Sequence, residues 1–144
     1  MRLTVHTDYA LRVLMFLAAN PDKLVTINEI AVRYDISKNH LMKVAQTLSK
    51  IGIIKSTRGR AGGLALNMNS DEVNIGDLVQ ELERKSPLAE CFPGGENSCI
   101  LNNCCNLRSA LVKAEQAFFS SLRETTLSDL VQKNHDLLLR LEAV

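Results

Sequence analysis

Thr26-Ile27-Asn28-Glu29-Ile30-Ala31-Val32-Arg33-Tyr34-Asp35-Ile36-Ser37-Lys38-Asn39-His40-Leu41-Met42-Lys43-Val44 reads as two helices joined by a turn. Thr26 and Glu29 have the spacing of a capping box, in which hydroxyl and carboxylate each satisfy a free backbone N–H at a helix start. The short helix they open runs through Tyr34, and Asp35 and Ile36 make a tight turn. Ser37 is a good N-cap for the next helix, which turns Leu41, Val44, Ala45 and Leu48 inward and leaves Lys38, Asn39, Lys43 and Lys50 to solvent. Gly52 stops that helix in the manner of a C-cap glycine.

Upstream, residues 8–19 place Leu11, Leu14, Met15 and Ala18 at helical spacing, and Asn20-Pro21-Asp22 ends the run. Downstream of Gly52 the apolar period changes from about 3.6 to 2, with Ile54 and later Leu64, Leu66 and Met68 alternating with small or polar residues. That is a β-hairpin whose tip is Thr57-Arg58-Gly59-Arg60-Ala61-Gly62-Gly63. Glycine there permits positive φ and close backbone approach to a ligand, while the arginines supply charge. Helix, capped short helix, turn, second helix and basic hairpin is the order of a winged helix-turn-helix. The expected fold is therefore mainly α with a small β-hairpin wing, followed by a long dimerisation helix.

That later helix is marked by Leu107, Leu111, Ala114, Phe118 and Leu122, and it runs to about Glu124. Before it, Asn74-Ile75-Gly76-Asp77 caps a short helix through about Glu83; after it, Thr126-Leu127-Ser128-Asp129 caps a last one. The organisation expected is a DNA-binding domain over 1–84, a cysteine-rich cluster-binding loop over 85–106, and a dimerisation helix with a C-terminal helix over 107–144.

The 144 residues are 46% hydrophobic and 23% charged, which excludes a disordered chain, and no apolar run is long enough to span a bilayer. The first eight residues carry no signal-peptide pattern, so a cytoplasmic location with reduced thiols is expected. The formal net charge of +1 is uneven: residues 1–68 carry ten Lys+Arg against four acids, a net of +6, and the remainder carries −5. A basic amino-terminal part suits a polyanion. In a helix-turn-helix the start of the second helix lies over base edges, which here means Ser37, Lys38, Asn39, His40 and Lys43. Asn pairs bidentately with adenine and Lys donates to guanine acceptors. Arg58 and Arg60, with Gly62, are the wing's candidates for phosphate neutralisation or minor-groove insertion. One domain reads about half of an operator, so a homodimer on a pseudo-palindromic double-stranded site is expected. The adjacent Phe118 and Phe119 on the long helix give it more apolar surface than one small domain easily buries.

All four cysteines fall within fifteen residues, Cys91, Cys99, Cys104 and Cys105. Their spacing lacks the paired ligand sets of a zinc site, and a reducing compartment argues against a disulfide. Glu96, Asn97, Asn102 and Asn103 make the loop too polar for a core. Thiolates on a polar loop fit a soft-metal group such as an iron–sulfur cluster.

Nearly end to end, the chain resembles the bacterial winged-helix iron–sulfur transcriptional regulators, and within them the nitric-oxide-sensing repressors. The matching stretches include His6-Thr7-Asp8-Tyr9-Ala10-Leu11-Arg12, Ile36 to Val44, Arg58 to Leu64, Val73 to Val79 and Thr126 to Leu130. The resemblance implies a regulator rather than an enzyme, holding an iron–sulfur cluster, 4Fe-4S in the first instance and 2Fe-2S in the second, whose reaction with nitric oxide relieves repression. The family's three cluster cysteines fall on Cys91, Cys99 and one of the adjacent pair. Cys105 is the better match, because Asn106-Leu107 follows it as in the family and five residues separate it from Cys99; Cys104 is then spare. The first interval, seven residues, exceeds the family's common five. Cluster-assembly regulators of the family carry a His two residues after the third Cys, where this chain has Leu107. In the nitric-oxide-sensing members the fourth ligand can be an Asp near the N-terminus of the other subunit, which matches Asp8. Read from residues alone, Asp8 is equally a first-turn acid facing the helix dipole. Sensing of iron, cluster supply or redox status by the same family is the alternative function, and a small iron–sulfur electron carrier or a zinc module are the rivals outside regulation.

Overall fold

The computed structural model describes residues 2–101 and 104–142; Asn102 and Asn103, read above as part of the polar loop, lie outside the described residues. Among the described residues, seven α-helices and one two-stranded antiparallel sheet follow in the order α1 (Val5–Ala19), α2 (Ile27–Tyr34), α3 (Lys38–Lys50), β1 (Ile54–Thr57), β2 (Gly63–Leu66), a 3-10 turn (Ser70–Glu72), α4 (Ile75–Glu83), α5 (Asn106–Leu122), α6 (Leu127–Val131) and α7 (His135–Leu141). The fold is a winged helix-turn-helix extended by one long and two short helices. Among the described residues no helix is long and apolar enough to cross a membrane.

The core is organised around α1, whose Ala10, Val13, Leu14, Phe16 and Leu17 are all at most 2% exposed. Ile30 of α2, Leu41, Val44 and Leu48 of α3, Val79 of α4 and Leu127 of α6 are equally buried and join it in one cluster. Each of the Val, Leu, Ile and Phe side chains among them contributes about 1.5–3 kcal/mol by leaving water. The capping box of α2 forms as its sequence dictates: the Thr26 hydroxyl accepts from the Glu29 N–H at 3.2 Å and Glu29 accepts from the Thr26 N–H at 2.6 Å. Asp35 takes the left-handed conformation (φ 53) that closes the turn, and Gly52 ends α3 at φ +83. In the hairpin, Ile54 pairs with Leu66 and Thr57 with Gly63. Strand β2 stops at Leu66, so Met68, which the alternating pattern included, lies outside the sheet and is 36% exposed. A contact not foreseen is an isolated bridge between Val25 and Leu64, with N–H to carbonyl distances of 2.9 and 2.7 Å, which pins the wing to the segment preceding α2.

Two helix boundaries differ from the sequence reading. First, α1 begins at Val5 rather than residue 8, because Thr4 accepts from the Thr7 N–H (3.2 Å) and is itself held by Glu83. The buried Glu83 carboxylate accepts from both the Thr4 N–H and the Thr4 hydroxyl at 2.9 Å, joining the C-terminal end of α4 to the start of α1. Removing a buried acceptor strands the donors it served. Glu83→Ala is thus expected to cost about 2 kcal/mol in thermal unfolding, and Glu83→Gln, which keeps one acceptor oxygen, distinctly less. Second, α6 is not the last helix. Asn134 caps a further one, α7, whose Leu141 is buried and whose Leu141 carbonyl accepts from the Asn20 side chain at 2.8 Å. The Thr126 N–H holds the Asp129 carboxyl down at about 2. Because the folded value lies below the ordinary one, that cap contributes at neutral pH and is lost as pH falls from about 4 toward 2.

Candidate functional site

Helix α3 buries Leu41, Val44, Ala45 and Leu48 against α1 and α2, and this fixes its opposite face outward. Ser37, Lys38, Asn39, His40 and Lys43 are all exposed there. The Ser37 hydroxyl accepts from the His40 N–H at 3.3 Å, so it serves first as the α3 cap. The His40 ring lies 6.0 Å from that of Tyr9 on α1. Arg58 and Arg60 project from the exposed hairpin tip, and Lys55, which the sequence reading passed over, is exposed on β1 beside them. Gly62 has a reason internal to the tip: a Cβ there would lie 2.2 Å from the Thr57 carbonyl oxygen. Helix start and wing therefore carry cations and neutral hydrogen-bonding groups at surface positions, the chemistry that meets phosphate and base edges.

Asp8 stands in the first turn of α1, paired with Arg12 at 2.9 Å; both are nearly half exposed. Arg12 lies over the Tyr34 ring at 5.9 Å, and the Tyr34 hydroxyl donates to the Arg12 carbonyl at 3.2 Å. Burial pushes that hydroxyl up to about 12, so it remains a donor at any physiological pH.

Between α4 and α5 the cysteine loop is shaped by its own backbone. The Phe92 side chain is buried and anchors it. The Gly95 N–H donates to the Phe92 carbonyl (2.9 Å), the Asn97 N–H donates to the Glu90 carbonyl (3.0 Å), and the Ser98 hydroxyl donates to the Glu90 carboxylate (3.2 Å). Gly94 at φ +94 and Asn97 at φ 57 make the reversals. Gly95 admits no side chain, since a Cβ would lie 2.2 Å from the Glu90 carbonyl oxygen. Residues 90–98 thus close on themselves, and the seven-residue interval is absorbed in a turn with Cys91 and Cys99 at its neck. Cys105 caps α5, its Sγ accepting from the Arg108 N–H at 3.4 Å, while Arg108 Nε donates to the Cys91 carbonyl at 3.1 Å. A cavity of about 380 Å³ opens beside Cys91, lined also by Pro93, Gly94 and Arg108.

All four thiols are free; Cys91, Cys99 and Cys105 are partly buried and Cys104 is exposed. The chemistry of this donor set fits a soft-metal group, since free thiols are the ligands iron–sulfur clusters use. The candidate ligands are not drawn onto one point: among the described residues no three His, Cys, Asp or Glu side chains stand close enough to share a metal ion, and Asp8 joins no such group. The backbone bond from the Asn97 N–H to the Glu90 carbonyl brings the Cys91 and Cys99 ends of the turn together, and Arg108, through its N–H and its Nε, links Cys105 to Cys91. Glu83 and Arg108 are the positions that residue-by-residue reasoning missed, and each acts on a residue distant in sequence. An unusual cation in the first turn of α5 was the one available signal for Arg108.

The family profile described as "Rrf2: Iron-dependent Transcriptional regulator" matches residues 3–133. The HTH-type transcriptional regulator NsrR of Bacillus subtilis is 43% identical over 139 residues, covering 96% of this chain and 95% of that protein. That of Bacillus licheniformis is 46% identical over 132 residues, covering 91% and 92%. Among solved structures, CymR, the global cysteine regulator of B. subtilis, superposes with a TM-score of 0.73 at 23% identity over 93% of this chain and 98% of that one, a likeness of fold.

Proposed function

The chain belongs to the Rrf2 family of transcriptional regulators, which bind DNA and are not enzymes, and from that membership we propose that it is a homodimeric repressor that senses nitric oxide through a 4Fe-4S cluster. The observation that carries this reading is the loop: hydrogen bonds of its backbone and of Arg108 tie together the neighbourhoods of Cys91, Cys99 and Cys105, in a chain whose helix-turn-helix face is basic. Cys91, Cys99 and Cys105 would hold the cluster, and Asp8 of the partner subunit would be the fourth ligand. When bound, the cluster supplies iron that nitric oxide attacks. The residues do the rest. Asp8 is free to serve two partners, because an exposed pair such as Asp8–Arg12 is worth only about 0–1 kcal/mol. Helix α1, which carries Asp8, packs directly against α3, so a tether on Asp8 bears on the recognition helix.

Dimerisation by α5 is supported by what that helix leaves uncovered. Of its residues only Phe119 is buried, and Leu107 is 66% exposed. Ile100 and Leu101 in the adjoining loop are exposed as well. We accordingly divide the chain into a DNA-binding part over 1–84, a cluster loop over 85–106 and a dimerisation part over 107–144. Helices α6 and α7 of that last part pack back on α1, linking it to the DNA-binding core.

On the DNA side, Ser37, Lys38, Asn39, His40 and Lys43 would meet the major groove, and Arg58, Arg60 and the backbone at Gly62 the flanking phosphates or minor groove. Replacing Arg58 and Arg60 together by alanine is expected to weaken binding similarly on all sequences and to flatten the slope of log K against log salt by about 2, one counterion per arginine. Asn39→Ala is expected instead to cost about 1–3 kcal/mol on the operator alone. Fluorescence anisotropy with operator and scrambled duplexes at several salt concentrations separates the two.

Anaerobic titration of the holo-protein with nitric oxide, following visible absorbance and operator binding together, tests the whole reading. Loss of binding in step with the absorbance change is expected; binding that persists after the absorbance is gone overturns it. Sensing of iron or redox status is the second reading, favoured by the family's description as iron-dependent. Release of operator on iron chelation, with no response to nitric oxide, would select it.

A further inference from the structure

Arg108 occupies a position that ordinary helix energetics disfavour. It lies in the first turn of α5, where the helix macrodipole presents positive charge and disfavours a cation. No acid stands in that turn to offset it. What Arg108 does there is bridge the two ends of the cysteine loop. Its backbone N–H donates to the Cys105 thiol at 3.4 Å, and its side-chain Nε donates to the Cys91 carbonyl at 3.1 Å. The rest of the guanidinium borders the cavity beside Cys91. Cys91 lies fourteen positions before Cys105, and closing a loop of that length has an entropic cost that any multidentate group held by both residues must meet.

We infer that Arg108 is a positioning residue for the thiol ligand set: it clamps the Cys91 backbone to the α5 N-terminus, so that the first and last thiols are brought near one another before anything binds. The inference deepens the reading of the loop as a cluster site and rests on it for its consequence, though the clamp itself is a property of the metal-free chain. A planar ε N–H fixed by the guanidinium aims at one carbonyl; a flexible ammonium keeps the charge without that direction. Arg108→Lys therefore separates charge from clamp.

Two measurements on the full-length protein test it. In the metal-free protein, amide hydrogen exchange over residues 90–99 is expected to quicken at least tenfold in Arg108→Ala, while exchange in α1 and α3 stays as in wild type. In the cluster-loaded protein, release of iron to an excess of ferrous chelator is expected to quicken by a similar factor in Arg108→Ala, with Arg108→Lys recovering only part. Where Arg108→Ala loses α5 itself, Arg108→Lys carries both comparisons, with a smaller effect of the same sign. Wild-type exchange and wild-type release in the variants would overturn the clamp and leave the cluster reading standing. Faster loop exchange in a protein whose wild type takes up no cluster would do the reverse.

Discussion

Cys91→Ala, Cys99→Ala and Cys105→Ala are each expected to yield protein with no visible absorbance and almost no bound iron, whereas Cys104→Ala is expected to keep both. The expectation rests on exposure and on contacts. Cys104 is exposed, with its backbone N–H donating to the Leu101 carbonyl, whereas Cys91, Cys99 and Cys105 are partly buried and lie at the joints of the loop. Cys105 has two tasks, since its thiol also caps α5. Cys105→Ser separates them: a serine hydroxyl is a strong N-cap but a poor ligand for iron. That variant is expected to unfold at or above the wild-type temperature in metal-free form and still to bind no cluster. Operator affinity in the cluster-free variants is expected to fall by about 5- to 150-fold, the range given by a coupling of about 1–3 kcal/mol between sites. Absorbance, iron content and operator titration of the five proteins decide the matter. Colourless Cys104→Ala beside coloured Cys105→Ala would exchange their roles.

The largest expected loss of stability comes from Gly76→Ala. Gly76 lies in the first turn of α4, where α5 ends, and a Cβ built there would stand 2.6 Å from both the Phe119 carbonyl oxygen and the Arg123 backbone nitrogen. Two of the atoms in the way are backbone, so no rotamer change relieves the clash. The joint is held by other contacts too. The Asn74 side chain donates to the Arg123 carbonyl at 2.8 Å, Arg123 Nε donates to Asp77 at 2.6 Å, and the Arg123 guanidinium also reaches Gln80. Overpacking ordinarily costs about 1–3 kcal/mol, and a backbone clash belongs at the upper end. A loss of about 3 kcal/mol would lower the unfolding midpoint of a chain this size by about 6–12 °C. Gly52→Ala is the control. Its φ of +83 is unfavourable for alanine but nothing lies within 4 Å, so only the left-handed conformation is penalised, at about 1–2 kcal/mol. A midpoint shift for Gly76→Ala no larger than for Gly52→Ala would mean that α5 moves away from α4 at little cost.

The same joint shows which features were legible. Gly76 was readable as part of a helix start, because Asn74 three positions before Asp77 is a cap signal contained within four residues. Its second role was not, since the atoms that forbid a side chain belong to Phe119 and Arg123. Likewise, Thr26 and Glu29 announced α2 through contacts with each other, but the early start of α1 was hidden, because the carboxylate that holds Thr4 is Glu83, seventy-nine residues on. Helix α7 escaped notice for a related reason: seven residues long, it has too few turns for periodicity to stand out, and its Leu141 finds its burial on α1. At the site, the recognition helix and wing were legible because their exposed charges are the complement of a locally readable buried face. The four cysteines were legible as a cluster in sequence, and the resemblance ranked them, but neither disclosed Arg108.

What the sequence by itself determined is therefore everything carried by contacts of about one turn's span: the capped helices, the turn at Asp35, the change of period into the wing, the uneven charge, and the crowding of thiols into one loop. Tertiary structure alone decided where α1 starts, how close α4 and α5 approach, how the wing is pinned at Val25, and how Arg108 links the Cys91 backbone to the start of α5. The physical reason is chain entropy. A cap or a turn closes over a few bonds and forms wherever its residues occur, whereas Glu83–Thr4, Gly76–Phe119 and Arg108–Cys91 close loops whose cost is met only once the shared core around α1 has assembled.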